Sequence, residues 1–207
     1  MDGILTPENR FIALLAACAM AIGALGFVWR AYRRRRARRQ LYDAITVIGL
    51  DSLQDVLVPD GMGGSMHVDF LLLTSRGVLV VDLRDVAGNI FGGDQMTEWT
   101  VMAGAKRTTF QNPQGALYDR VAAVKLIAGE LPVEGRILFT KRGRFPKGLP
   151  RWTMMVDALR AEFPPADSQA FAALMGRYRE IWAGICAAVS PSPLKKNPPF
   201  LAEVFLE

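Results

Sequence analysis

The sequence predicts an α/β domain of ordinary size behind one N-terminal membrane-spanning helix. Three observations lead to this fold class: an uncharged apolar run over residues 11–29, two near-continuous apolar runs over 67–74 and 78–81, and helical apolar spacing around them. Strands that are apolar throughout belong to a sheet covered on both faces, which requires helices packed against it. About 168 residues remain for this domain after the helix and its flank, enough to bury a core.

The apolar run at residues 11–29 predicts a transmembrane helix. Its 19 uncharged residues reach about 28 Å as a helix, close to the ~30 Å hydrocarbon core of a bilayer. A leader at 1–10 precedes it, and seven arginines follow it within 30–39. Arginine-rich flanks stay in the cytoplasm, so we expect a single-pass protein of the cell membrane with its N-terminus outside and its main domain cytoplasmic. A cleavable signal peptide has the reverse order of charges.

The basic character of the chain comes from this arginine-rich flank. The formal net charge is +5, yet from Gln40 onward there are 17 Lys plus Arg against 18 Asp plus Glu. The flank is expected to fix the topology and to lie against anionic lipid headgroups. An alternative role, collecting nucleic acid near the membrane, stays open.

Cysteine and histidine content limits the metal chemistry. Cys18 lies in the apolar run and Cys186 near the end of the chain, so no disulfide is expected in a cytoplasmic domain. With His67 as the only histidine, a zinc site of the usual nitrogen and sulfur ligands is excluded. Any metal is therefore expected to be a hard cation held by carboxylates.

The domain is predicted over 40–189, beginning with an amphipathic helix over 40–58 that Gly49 could interrupt. The two apolar runs and the turn 75–77 between them predict a β-hairpin, and 86–94 is predicted to be a turn. Asn112 as cap and Pro113 as an early helical residue open a further helix. Shorter strands are predicted at 98–102, 107–110 and 136–140, and helices at 113–129, 152–163 and 168–189, before a Pro-rich tail over 190–207.

Two aspartates lie within the hairpin strands. Because strand side chains alternate, His67 and Asp69 share one face of the first strand, and Asp82 and Arg84 share one face of the second. A carboxylate there is costly unless it is paired, hydrogen-bonded or bound to a metal. Asp69 and Asp82 could hold one divalent cation, with Arg84 orienting a phosphate. The alternative is an ion pair of Asp82 with Arg84, and Asp69 bonded to backbone or to His67.

A basic loop follows the strand predicted at 136–140. It contains five cations: Lys141, Arg142, Arg144, Lys147 and Arg151. The loop lies at a strand end, where α/β folds tend to bind ligands, so that Lys141, Arg142 and Arg144 could contact nucleic-acid phosphates. A solvated surface loop is the alternative.

Three consecutive stretches show a family resemblance: VDFLLLTSRGVLVVDLRDVAGNIFGGDQMTEWTV, FQNPQGALYDRVAAVKLI and RILFT. With them, the chain resembles the nuclease-related domain family, NERD, over roughly residues 40–140. The matching features are Asp69, Gly77, Asp82-Leu83-Arg84 with Gly88, Trp99, and Asn112-Pro113. The resemblance implies the PD-(D/E)xK superfamily, with a restriction-endonuclease-like mixed sheet flanked by helices. It also implies cleavage of nucleic acid with Mg²⁺.

The chain departs from the family pattern at one chemical position. Where the family usually has Glu-x-Lys, this chain has Asp82-x-Arg84, and arginine cannot give up a proton near neutral pH to act as a base. Upstream acidic candidates are Asp43, Asp51 and Asp55. We therefore expect a membrane-anchored protein that hydrolyses nucleic acid with Mg²⁺ at Asp69, Asp82 and Arg84. The alternative is an inactive membrane-tethered module that binds nucleic acid or a protein partner.

Overall fold

The computed structural model describes residues 7–165 and 168–193. The chain forms two compact units, Met1–Asp43 and Ala44–Glu207. Helix α1 (Pro7–Thr46) is one continuous helix of 40 residues, so the arginine-rich flank is helical as well.

Helix α1 has the properties of a membrane-spanning segment. Its part from Leu15 to Thr46 is long and apolar enough to cross a bilayer. Large apolar side chains between Leu15 and Trp29 are exposed, from 54% for Leu15 to 74% for Phe27. Apolar side chains exposed around several helical turns are unfavourable in water and suited to lipid.

The second unit is a mixed α/β domain, as predicted. Its helices in the described residues are α2 (Pro113–Ala128), α3 (Leu159–Glu162) and α4 (Ser168–Ala188), with a 3₁₀ turn at Val156–Ala158. Its strands there are β1 (Asp51–Pro59), β2 (Ser65–Thr74), β3 (Gly77–Arg84), β4 (Gly88–Phe91), β5 (Glu98–Ala103), β6 (Lys106–Gln111), β7 (Val133–Phe139), β8 (Gly143–Arg144), β9 (Thr153–Met155) and β10 (Ser190–Pro191).

These strands form two sheets. The larger has the order β10-β1-β2-β3-β7-β9 and the smaller the order β6-β5-β4-β8. In the larger sheet β1, β2 and β3 are antiparallel neighbours, whereas β7 pairs parallel to β3 and β9 parallel to β7. The predicted hairpin is confirmed as β2 and β3, with Thr74 opposite Gly77. Gly77 has φ +118°, and a side chain there would meet the carbonyl oxygen of Pro132 at 2.3 Å.

Helix α2 packs on one face of the larger sheet, and the candidate site lies on that same face. Asn112 caps it, with its side chain accepting from Gln114 N, and Pro113 follows, as predicted. Gly135 in β7 permits close contact, because a Cβ there would lie 2.6 Å from Val121 and 3.1 Å from Leu117. The smaller sheet shares the core through Trp99, which is fully buried and stacks against Phe139 at 6.2 Å.

The helix predicted over 40–58 is wrong in its second half. Helix α1 ends at Thr46, and β1 begins at Asp51. In β1, Val56 and Val58 are buried while Leu57 between them is half-buried, which is the period of a strand. The apolar residues of this segment are spaced closely enough to fit the period of a helix or that of a strand. Pairing with β2 therefore determines that the segment is a strand.

Three further segments differ from the sequence prediction. The turn predicted over 86–94 contains β4, which pairs with β5. The helix predicted over 152–163 begins as β9, because Thr153 pairs with Ile137 and extends the sheet beyond β7. Ser190 and Pro191, assigned to the tail, form β10 against β1. Tail residues 194–207 lie outside the described residues.

Candidate functional site

The hairpin register brings Asp69 and Asp82 to one end and one face of the sheet. Leu71 lies opposite Val80, and both belong to the core that contains Leu117 of α2. Asp69 precedes Leu71 by two residues and Asp82 follows Val80 by two, so alternation turns both carboxylates toward the same face. The structure therefore places these two residues as strand alternation predicts.

Asp69 of β2 is hydrogen-bonded to β3 at the open end of the hairpin. Its Oδ2 accepts a hydrogen bond of 2.8 Å from the backbone N–H of Leu83, just beyond the last paired residues, Phe70 and Val81. Its Oδ1 lies 3.5 Å from Nδ1 of His67. The carboxylate thus contacts the β3 backbone and the imidazole two residues earlier.

Asp82 is the most enclosed carboxylate of the site, with 2% of its side chain exposed. Its Oδ2 accepts from Arg84 Nη2 at 2.7 Å and lies 3.3 Å from Arg120 Nη1. A buried carboxylate requires such compensation, and two guanidinium groups supply it. These contacts match the alternative interpretation, in which Asp82 pairs with Arg84 and Asp69 is hydrogen-bonded to the backbone.

Arg120 belongs to this site and was missed in the sequence. It follows Leu117 by three residues and precedes Val124 by four, so it lies on the core-facing stripe of α2. A charged residue on the apolar stripe of an amphipathic helix is unusual, and this feature of the sequence could have indicated Arg120 as a site residue. Its Nε donates to the carbonyl of His67 at 2.7 Å, so Arg120 bridges β2 and the Asp82 carboxylate.

Arg84 has a buried donor with no acceptor in the described part of the chain. Its Nε is buried and makes no hydrogen bond there, although Nη2 donates to Asp82. An unpaired buried N–H is unfavourable by about 1–3 kcal/mol. The Arg84 side chain is 22% exposed, and that exposed part is what an acceptor from outside the chain could reach. A phosphate oxygen is the acceptor that a guanidinium matches best.

Three residues at this end could hold a metal ion: Asp55, His67 and Asp69, whose ligand atoms lie within 4.8 Å of one another. Asp55 of β1 lies across from Asp69, between the paired residues Gln54 and Val56, and has φ +49°. Its Oδ1 is 3.6 Å from Nε2 of His67. Among the upstream acidic candidates, Asp55 is thus beside Asp69, whereas Asp51 accepts from the indole of Trp182 at 2.8 Å.

The basic loop begins where β7 ends. The N–H of Thr140 donates to the carbonyl of Arg84 at 3.1 Å, so the loop leaves the sheet beside the end of β3. Lys141 is 80% exposed and lies 3.3 Å from Asp157, and Arg142 pairs with Asp85 at 2.9 Å. Arg144 is exposed in β8. All three cations lie at or near the surface, where phosphates could reach them.

The chain matches one protein family over about half of its length. The family model for the nuclease-related domain, NERD, matches residues 34–140. The chain belongs to the NERD family. The matched segment includes Asp69, Asp82, Arg84 and Arg120, and it ends immediately before the basic loop. The family assignment therefore covers these four residues, here called the strand-end cluster, whereas the basic loop and α4 lie beyond it.

One curated relative of this NERD chain is an uncharacterized protein of Bacillus anthracis. The two are 31% identical over 81 residues, which is 39% of this chain and 38% of the relative. The chain thus aligns with well under half of the relative's length. No solved structure matches the chain.

Proposed function

We propose that this protein is a membrane-anchored, PD-(D/E)xK-type nuclease that hydrolyses phosphodiester bonds of nucleic acid with a divalent cation. The observation that carries the proposal is the convergence of Asp69, Asp82 and Arg84 at one end of the NERD-family hairpin. Carboxylates from two neighbouring strands provide the oxygen donors that Mg²⁺ prefers. The arginine provides a donor for a phosphate.

The donor set fits a divalent cation. Both arginines contact Oδ2 of Asp82, which leaves Oδ1 as the oxygen that could face a cation shared with Asp69. His67 and Asp55 lie next to Asp69 and could complete the ligands on that side. When bound, Mg²⁺ or Mn²⁺ would polarise the phosphate and make a water more acidic.

The protein side chains have separate roles in this proposal. Arg84 orients the phosphate through the exposed part of its guanidinium side chain, which is 22% exposed, and it cannot take a proton from the attacking water. Arg120 acts as a positioning residue, since it holds Asp82 and the His67 carbonyl at fixed places. The absence of a lysine base predicts slow cleavage.

The test of the proposal is cleavage of end-labelled DNA and RNA by the full-length protein in mild detergent, with Mg²⁺, Mn²⁺ or chelator. We expect slow, metal-dependent cleavage that Asp69→Asn lowers by at least about 100-fold, because a metal ligand and its charge are lost. Glu130→Gln removes an exposed carboxylate elsewhere and should leave cleavage unchanged. Cleavage that persists in chelator or in Asp69→Asn would reject the assignment.

A second candidate function is a catalytically silent module that binds nucleic acid or a protein partner. The observation that favours it is the double pairing of Asp82 with Arg84 and Arg120. Two cations within 3.3 Å of one carboxylate oxygen compete with a metal for that charge. Under this reading the strand-end cluster stabilises the fold, and nucleic acid is bound without being cut.

Nucleic-acid binding is proposed for the basic loop. Lys141, Arg142 and Arg144 follow β7 at the strand ends that carry Asp82 and Arg84, so a bound strand could contact both regions. Contacts of this kind depend on phosphate charge and carry no sequence preference.

Membrane anchoring is the remaining part of the proposal. We propose that the span at 11–29 within α1 crosses the membrane with the N-terminus outside and the nuclease-related domain in the cytoplasm. The arginines after the span support this orientation, because arginine-rich flanks stay in the cytoplasm. The same arginines would lie against anionic lipid headgroups. We expect a reporter that works only in the cytoplasm to be active when fused to the C-terminus, and a reporter that works only outside the membrane to be inactive there. A translocated C-terminus would contradict this topology.

A further inference from the structure

A cleft beside α2 is lined by none of the residues assigned so far to the candidate active site. Its volume is about 370 Å³, within the range of ligand sites. Six of its lining residues carry the argument: Asp94, Gln114, Tyr118, Asp119, Arg151 and Trp152. They come from three segments that are distant in the sequence.

The wall of the cleft is held together by one buried side chain. Gln114 is 6% exposed, and its Nε2 donates to Asp94 Oδ1 and to the Arg151 carbonyl, both at 2.8 Å. The N–H of Arg151 donates to the same Asp94 oxygen at 2.9 Å. The hydrogen bonds from Gln114 and then Arg151 also lower the pKa of Asp94, so this carboxylate stays ionised. A wall fixed before binding requires little ordering when a ligand enters.

Two exposed aromatic rings line this cleft. Trp152 is 41% exposed and Tyr118 is 65% exposed. Trp152 has φ +58°, a left-handed conformation that bulky residues rarely adopt. Its carbonyl accepts from Ile137 N at 2.7 Å, which holds the residue in place beside β7. Strained residues of this kind concentrate at functional sites.

The charge of the cleft selects a base rather than a phosphate. Asp94 and Asp119 give two negative charges against one positive charge from Arg151, whose guanidinium lies 5.2 Å from the Trp152 ring. Aromatic rings stack with any nucleobase, and polar groups at the rim can pair with base edges. Bases in a duplex are stacked on their neighbours, so only an unpaired base can enter. We propose that this cleft binds one unstacked base of a single-stranded nucleic acid.

The cleft and the candidate active site each include residues of α2. Asp119 lines the cleft, and the next residue, Arg120, contacts the Asp82 carboxylate. The inference rests on the proposed action on nucleic acid and adds a preference for single strands. A base held in the cleft would fix the strand relative to the strand-end carboxylates.

The experiment measures binding of fluorescent oligonucleotides to the full-length protein in mild detergent and chelator. One oligonucleotide carries bases and the other is an abasic strand of equal length. The wild type is expected to bind the first roughly tenfold more tightly, the size of one aromatic stacking contact. Tyr118→Ala and Trp152→Gly should remove this difference and leave abasic binding unchanged. Glycine suits the φ of residue 152, and alanine suits the exposed helical position 118.

Two controls separate the cleft from general effects. Leu126→Ala changes another exposed α2 residue, 68% exposed, and should keep the preference for bases. Alanine at Lys141, Arg142 and Arg144 together should weaken binding of both oligonucleotides alike and flatten its salt dependence. Unchanged binding in this triple variant would leave the basic loop as solvated surface.

Each outcome bears on one of the two proposals. Equal wild-type binding of the two strands, or a preference retained in both Tyr118→Ala and Trp152→Gly, would overturn the cleft proposal while nucleic-acid binding stands. Should Trp152→Gly fail to fold, Tyr118→Ala alone decides. Binding of neither strand would reject the cleft together with the proposed function.

Discussion

Asp82→Asn is expected to lower the melting temperature of the protein strongly when divalent metal is removed. The change leaves the guanidinium groups of Arg84 and Arg120 without their shared carboxylate, and both are mostly enclosed, at 22% and 15% exposed. Removing one partner of a buried ion pair lowers the free energy of unfolding by about 3–5 kcal/mol, and we expect the lower end here because the arginines keep some contact with water. For a domain of this size that is roughly 6–12 °C.

Melts of wild type and variant with and without Mn²⁺ measure this effect. Asp157→Asn is the matched control, because it removes one partner of an ion pair that is exposed on both sides, with Asp157 59% and Lys141 80% exposed. Its loss should be below about 1 kcal/mol. Wild type should also melt higher with Mn²⁺, since an ion that binds the folded state stabilises it. A variant as stable as wild type in chelator would contradict the ion-pair account of Asp82.

Arg84→Lys is expected to raise metal-dependent cleavage by roughly 100-fold, the lower end of the contribution of a general base. Lysine restores the usual family residue, keeps a positive charge beside Asp82, and can lose a proton when its environment lowers its pKa. The measurement is cleavage of labelled DNA and RNA with Mg²⁺ or Mn²⁺. Arg142→Lys makes the same chemical change at an exposed ion pair and should give no gain.

The outcome of Arg84→Lys separates an impaired enzyme from a silent module. A gain in cleavage identifies a site limited by its missing base. No gain, in a variant that melts like wild type, would favour the silent module. Arg84→Gln provides neither base nor charge and should show no gain in cleavage over wild type in either case.

The parts of the fold that local pattern determines were predicted well. The hairpin followed from two apolar runs around a short turn ending in Gly77, and the start of α2 followed from Asn112 and Pro113. Strand alternation alone placed Asp69 and Asp82 on faces that can meet, because residues two apart share a face.

Long-range packing decided the parts that were not predicted. Residues 51–59 pair with β2, and Thr153 pairs with Ile137, so both segments became strands although their apolar spacing also fitted a helix. Arg120 joins the site from α2, and no local motif connects it with Asp82. Asp55 was one of three upstream acidic candidates, and only the pairing of β1 with β2 shows that it is the one beside Asp69. The strained Trp152 likewise depends on the Ile137 hydrogen bond.

Titration of Mn²⁺ into the full-length protein, followed by calorimetry, tests the proposed carboxylate metal site most directly. The account predicts one saturable site in wild type that Asp69→Asn and Asp82→Asn each abolish and Glu130→Gln preserves. Binding lost in Asp69→Asn and in Asp55→Asn but retained in Asp82→Asn would instead place the ion at Asp55, His67 and Asp69. Absence of binding in wild type, or binding that survives Asp69→Asn, would contradict the metal-dependent nuclease.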